Sequence, residues 1–270
     1  MKQLFFIALF TAAALLSNAQ TFEGFVKDAK TLAPLSYVNV GIIGKGVGTV
    51  TDQQGRFKLS LSNNNADSLR ISMVGYTPQT FLVDNIKNGS LPKTTLLQPA
   101  VNQLKEVKVD NHKWKQTILG NTTKSKSSNA GFRSNQLGNE IGTIIKIKRS
   151  PTFIKEFNVA ISVAPLDSVK LRLNFYTVKD GLPDQLLQHE NIFVIVRKGQ
   201  ENVKVNLEPY NIIVEDKFCV TLETIQNARG HGLMFSASFL SGSVISRDAS
   251  QDKWEKVGIA GVGFNVLAEY

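Results

Sequence analysis

Few residues of this 270-residue chain have the types and spacing that catalysis requires. The three histidines, His112, His189 and His231, stand apart, and none forms the H-x-x-E or H-E-x-x-H pair that holds a catalytic zinc. The single cysteine, Cys219, alternates with Phe218 and Val220 and has no neighbouring histidine to activate it, so it is expected as a small filler in a strand. No Ser-His-Asp order and no nucleophile elbow is present. The run Gly44-Lys-Gly-Val-Gly48 leads into another strand rather than a helix, which makes it a hairpin turn and not a phosphate loop. Asp180 and Asp184 flank Gly181, but calcium takes about six to eight oxygen ligands, so neither a metal nor a cofactor is expected. Paired carboxylates can be distant in sequence, which leaves an acid–base hydrolase as an alternative that only a fold can reveal. What remains is ring chemistry. Tyr176, Tyr210 and Trp254 sit beside polar or charged residues, as rings that stack on sugar faces do, and they are the candidate ligand-binding residues.

The elements that would position these rings are strands. From Phe22 onward, turn signals recur every eight to twelve residues and apolar side chains keep a period of two. Phe22–Val26 reads as a first strand, and Tyr37–Val40 alternates. Asp52-Gln-Gln-Gly55 turns, and Phe57, Leu59 and Leu61 then share a face, as do Leu69, Ile71 and Met73. Further along, Phe157, Val159, Ile161 and Val163 share a face, and Val169, Leu171, Leu173 and Phe175 alternate with Lys170, Arg172 and Asn174. Ile192–Val196 is a continuous apolar run and is expected as a central strand buried on both sides. About eight or nine strands of this kind predict a two-sheet antiparallel β-sandwich, a jelly roll, over residues 141–270. The whole chain is therefore all-β.

The ends and the joint read differently. Lys2, the apolar run Leu4–Leu16 and Ser17-Asn18-Ala19 make residues 1–19 a secretory signal peptide, cut after Ala19. Thirteen apolar residues fall short of the roughly 20 that span a bilayer. Export to the periplasm or the outer cell surface follows, and one cysteine suits an oxidising compartment. The formal charge is +9, and residues 105–140 hold seven basic residues against three acidic ones. That segment, rich in Ser, Asn and Lys, is read as a basic polar linker able to touch anionic envelope polymers weakly. No alternation of aromatic and basic residues suggests nucleic-acid binding.

The first module also carries a likeness to a known family. The pattern Gly24-x-Val26-x-Asp28, Pro34-Leu35, Val38-Asn39-Val40, Gly48-Thr-Val-Thr-Asp52-x-x-Gly55-x-Phe57-x-Leu59 and Gly75-Tyr76 resembles the carboxypeptidase regulatory-like domain over about residues 22–98. That family is common in exported proteins of Bacteroidetes. The resemblance implies a transthyretin-like, seven-stranded Greek-key sandwich for residues 20–104 and a non-catalytic role. Leu32 departs from it, standing where the family more often has a glycine in the first turn. Leu104-Lys-Glu-Val-Lys-Val109 is similar to the segment that follows this module in TonB-driven receptors, but the remaining 161 residues are too few for their barrel. The second half resembles galactose-binding-type jelly rolls, which implies carbohydrate binding. The expected function is thus a non-catalytic exported envelope protein that binds or scaffolds, with a glycan or an envelope protein as partner.

Overall fold

The structure, a computed structural model, describes residues 21–61, 65–100, 114–134, 136–165, 167–226 and 232–270. The expected signal peptide, His112, His231, the segment Leu104–Val109 and residues 105–113 of the expected linker lie outside them. The first module is a sandwich of seven strands: β1 (Thr21–Asp28), β2 (Asn39–Ile42), β3 (Val47–Val50), β4 (Arg56–Ser60), β5 (Ser68–Ser72), β6 (Gln79–Leu82) and β7 (Thr94–Leu97). Their orders are β4-β1-β7 in one sheet and β3-β2-β5-β6 in the other. One five-residue helix, α1 (Val83–Lys87), links β6 to β7. Period-two burial builds the core: Phe57 and Leu59 point inward on β4 while Arg56, Lys58 and Ser60 face water. Val26, Val38, Val40, Ile42, Leu69, Ile71 and Leu97 are fully buried, each contributing on the order of 2 kcal/mol.

The family-like motif explains the first turn. The Asp28 carboxylate accepts the backbone N–H groups of Lys30 and Thr31, both at 2.8 Å, and the Tyr76 hydroxyl at 2.8 Å. These bonds, that of Thr31 foremost, hold the Asp28 carboxyl below its ordinary range. The turn they close puts Leu32 at φ 59°, where a Cβ is strained. The departure noted in the sequence is therefore a backbone position that favours glycine.

The second module runs from β8 (Gln116–Gly120) through β9 (Asn129–Gly131), β10 (Glu140–Ile145), β11 (Thr152–Val163), β12 (Val169–Lys179), β13 (Leu182–Leu186), β14 (Ile192–Val196), β15 (Asn202–Asn206), β16 (Ile212–Val214), β17 (Phe218–Thr224), β18 (Met234–Phe239), β19 (Val244–Arg247), β20 (Glu255–Val257) and β21 (Ala260–Val262) to β22 (Phe264–Glu269). Every pairing in it is antiparallel. Two rows make its frame, β8-β22-β11-β15 and β10-β17-β12-β14. Numbered along the chain, that is the strand order of a jelly roll, with β18 to β21 added before the last strand. Phe157, Phe235 and Phe264 meet edge to face at the centre, at 5.4 and 5.1 Å.

Two expectations need correction. Residues 105–140 are not a linker throughout: β8 is a frame strand and β9 pairs with β18. Some of their polar side chains also tie turns down: Asn121 Nδ2 reaches Ser238 Oγ, Ser241 Oγ and the Gly261 carbonyl at 2.8–3.1 Å. Lys126 is likewise held, on the Ile161 carbonyl and Glu201. Second, Ile192–Val196 is not buried on both sides. β14 pairs only with β12, and Phe193 and Ile195 stay partly exposed. The run is apolar because its outer side meets the first module, where the Phe193 ring lies 5.5 Å from that of Tyr37 and Lys170 caps both.

The two modules dock along the β2–β3 hairpin. Gly41 and Gly48 are cross-strand partners there. A Cβ on either would stand 2.1 or 2.2 Å from the Ser250 carbonyl oxygen, so only glycine admits the 248–252 loop. The Gly44 N–H then donates to the Gln251 carbonyl at 2.9 Å and the Gly46 N–H to Asp252 at 2.8 Å. Gly48→Ala is expected to push the loop away and split one cooperative unfolding transition into two, read by calorimetry, with the far-ultraviolet spectrum retained. Leu32→Gly is expected to raise stability by about 1 kcal/mol in urea titrations.

Candidate functional site

The site begins with a row of charge inside the second module. Arg172 on β12 lies opposite Glu223 on β17, Glu223 opposite Glu140 on β10, and Glu140 opposite Arg247 on β19. Four adjacent strands thus carry Arg, Glu, Glu and Arg in register on the sheet face turned away from the main core. All four are buried, the two carboxylates completely. Arg172 donates through Nε and Nη2 to Glu223 Oε2 at 2.8 and 2.7 Å, and Asn174 Nδ2 adds a third bond at 2.9 Å. Arg247 pairs with Glu140, which also accepts Thr221 Oγ1 and the Tyr176 hydroxyl.

Burial pushes the Glu140 carboxyl above its ordinary value; Arg247 opposes this and Glu223 adds to it. Burial also drives the Tyr176 phenol and the Cys219 thiol well up, with Glu140 reinforcing both. Cys219 is fully buried, in keeping with its expected role as a filler. For Arg247, burial pulls downward, but Glu140, Tyr176 and Glu223 outweigh it and leave the guanidinium above its usual range.

The first module completes the row. Arg172 Nη1 donates to the Tyr37 carbonyl at 2.7 Å and Nη2 to Asn39 Oδ1 at 2.7 Å. Tyr37 turns its carbonyl inward because it sits at φ 62°, one of six non-glycine positions with positive φ among the described residues. Between the modules, above the row, lies a cleft of about 590 Å³. Its floor holds Arg172, Asn174, Tyr176 and Arg247; one wall holds Arg70, Ser72, Met73 and Tyr76; the other holds Asp184, Gln185, His189 and Trp254. Gln251 Nε2 bridges to Ser72 Oγ at 2.8 Å. The Trp254 ring stands edge-on to Tyr176 at 5.5 Å and lies 4.6 Å from the Arg247 guanidinium. A second inter-module cavity, of about 850 Å³, is lined by the ion pairs Lys58–Glu23 and Arg56–Asp52 and by Lys93.

Of the residues expected to bind a ligand, the fold brings Tyr176 and Trp254 together in the cleft and leaves Tyr210 elsewhere. Tyr210 ends the 3-10 turn Glu208–Tyr210 and packs half-buried on the main core of the second module. Tyr176 is 6 % exposed and its hydroxyl is spent on Glu140, so it backs the site while Trp254, half-buried, faces it. Asp180 and Gly181, both at positive φ, form the β12–β13 turn. Asp184 is part of the cleft wall, and Asp180 and Gly181 are not. The sequence reading missed Arg172, Glu223, Glu140 and Arg247 as site residues. Their signal is opposite charge on strands that are otherwise apolar, which alternation alone assigns to solvent.

Comparison with known proteins fixes the first module. Residues 22–109 match the family model for the CarboxypepD_reg-like domain. The N-terminal module is a CarboxypepD_reg-like domain. No curated protein matches the chain. Among solved structures, the cysteine protease and lectin-like domains of a surface layer associated protein of Clostridium difficile align at 8 % identity and TM-score 0.39, over 87 % of this chain and 58 % of that one. Similarity that low carries no weight for the second module, whose fold rests on its own strand order.

Carboxyls outside the row and Glu140 within it make stability depend on pH in opposite directions. The carboxyls of Glu23, Asp28, Asp52 and Glu269 lie below their ordinary values, so their contribution is lost as pH falls through the acid range. Glu140 lies above 4.5, so its contribution is present below that value and lost as pH rises through its higher folded value. Urea midpoints are expected to pass through a maximum and then decline. Glu140→Gln is expected to flatten the decline while costing roughly 3 kcal/mol, because Arg247 loses its charged partner.

Proposed function

We propose that this chain is a non-catalytic binding protein and that its ligand, a glycan, enters the cleft between its two modules. The observation that carries this reading is Trp254: a half-buried indole backed by Tyr176 and Arg247, facing a cavity whose other groups are polar. Sugars present flat C–H faces to a ring and hydroxyls to the groups around it. Asn39, Asp184, Gln185, His189 and Arg70 offer both donors and acceptors around the indole.

The same geometry favours binding over turnover. The carboxylates paired with the floor arginines, Glu140 and Glu223, are fully buried beneath Arg247 and Arg172, and those that line the cleft, Asp184 and Asp252, belong to its walls. A general acid or base has to reach a reacting atom within hydrogen-bond distance, and Glu140 and Glu223 are withdrawn beneath the arginines. The CarboxypepD_reg-like module supplies one wall of the cleft, which gives it a part in recognition. The chain works after export, in the periplasm or at the outer surface; among the described residues no helix is long and apolar enough to cross a membrane.

Calorimetric titration of residues 20–270 with plant, host and cell-wall glycans tests the reading. Saturable binding is expected, with affinity lowered at least tenfold by Trp254→Ala and unchanged by Tyr210→Ala. Absence of heat across all three glycan classes would retire the glycan, and turnover of any of them would retire the binding role.

A further inference from the structure

We propose that the tip formed by Phe239–Leu240 and Val257–Ile259 inserts into an anionic lipid surface. Phe239 and Leu240 are 73 % and 84 % exposed, and Ile259 and Val257 are 63 % and 42 % exposed. They belong to two neighbouring turns, one leaving β18 and one joining β20 to β21. The turns are bound to each other: Phe239 pairs with Ala260, and the Leu240 N–H donates to the Ile259 carbonyl at 2.8 Å. Four large apolar side chains are thus presented together, where scattered single ones would need no explanation.

The presentation is built. Asn121 Nδ2 donates to Ser238 Oγ, Ser241 Oγ and the Gly261 carbonyl, bracketing both turns from one side chain. Ser241 Oγ donates back to the Ser238 carbonyl at 2.7 Å, closing the turn around Phe239 and Leu240. Leu240 itself is held at φ 56°, a conformation that costs a leucine and that a glycine would accept freely. A turn selected only for tightness would place a polar or glycine residue there.

Charge and area choose the occupant. Lys256 adjoins Val257 and is exposed, and no carboxylate pairs with it among the described residues. The neighbouring Glu255 is neutralised by Arg133. Lys256 immediately precedes Val257 and leaves β20 on the other side from it, a long flexible cation beside the apolar tip where an anionic headgroup can meet it. The four side chains offer on the order of 400 Å². A stable protein interface buries roughly 800 Å² on each partner, whereas a bilayer needs no complementary shape. Neither inter-module cavity reaches this tip, so the property is independent of the glycan cleft.

Co-sedimentation with phosphatidylcholine vesicles, with and without about one-third phosphatidylglycerol, tests the proposal on residues 20–270, the leader being left out because it would bind lipid itself. Binding to the anionic vesicles is expected. Phe239→Ser with Leu240→Ser should weaken it at least tenfold at unchanged thermal midpoint, Ile259→Ser should weaken it less, and Lys256→Gln should reduce the preference for anionic lipid. Trp254→Ala should leave it intact, which separates this outcome from failure of the cleft reading. Three results overturn the proposal: no binding to either vesicle, binding insensitive to the tip substitutions, or self-association in sedimentation velocity that the double substitution abolishes without any lipid binding.

Discussion

A charge taken out of water has to be paired, and four of them in one row govern this molecule. Arg172, Glu223, Glu140 and Arg247 lie across four adjacent strands of the second module. Ion pairing holds Glu140 and one oxygen of Glu223, whose Oε1 stays buried without a partner, and the Arg172 fork spends its remaining donors on Asn191 and on Tyr37 and Asn39 of the first module. Docking therefore completes the hydrogen bonds of the row. The docking in turn needs the bare backbone of Gly41 and Gly48, the left-handed Tyr37 and the loop that ends at Trp254. Cleft, interface and buried charge are one construction, and the candidate ligand site draws its lining from both modules.

Much of the architecture was legible in the sequence because each module alternates strictly. Phe57 and Leu59, or Leu171, Leu173 and Phe175, name their strands and the buried side of each. Alternation also misled. It assigns Arg172, Asn174 and Glu223 to water, since period two distinguishes two sides of a strand but does not say what covers the second. The apolar Ile192–Val196 failed for the mirror-image reason: one side meets the core, while on the other Phe193 touches Tyr37 and Ile195 stays exposed. Residues 116–131 failed because composition marks polarity, while the partners of Asn121 are backbone and serine groups more than a hundred positions away.

The candidate rings show the same boundary. Tyr176, Tyr210 and Trp254 have similar polar surroundings in sequence, and nothing local separates them. Register does: Tyr176 shares a sheet face with the charged row, whereas Tyr210 follows Leu207 into a turn beneath the main core. The family resemblance reached further into detail than composition could. It picked out Asp28, Gly75 and Tyr76, and the bond between Asp28 and Tyr76 is what ties the first turn to the far sheet.

The row also sets an order of assembly. Its members are separated by 51 and 107 positions along the chain, so the last pair forms only when nearly the whole polypeptide is present. Pairings of such long range are slow, because loop closure comes before any compensating contact. A chain emerging from its amino end completes the first module early, and Tyr37 and Asn39 then stand ready as acceptors. The later module condenses against an already finished surface, so the N-terminal sandwich serves its neighbour as a template as well as a wall.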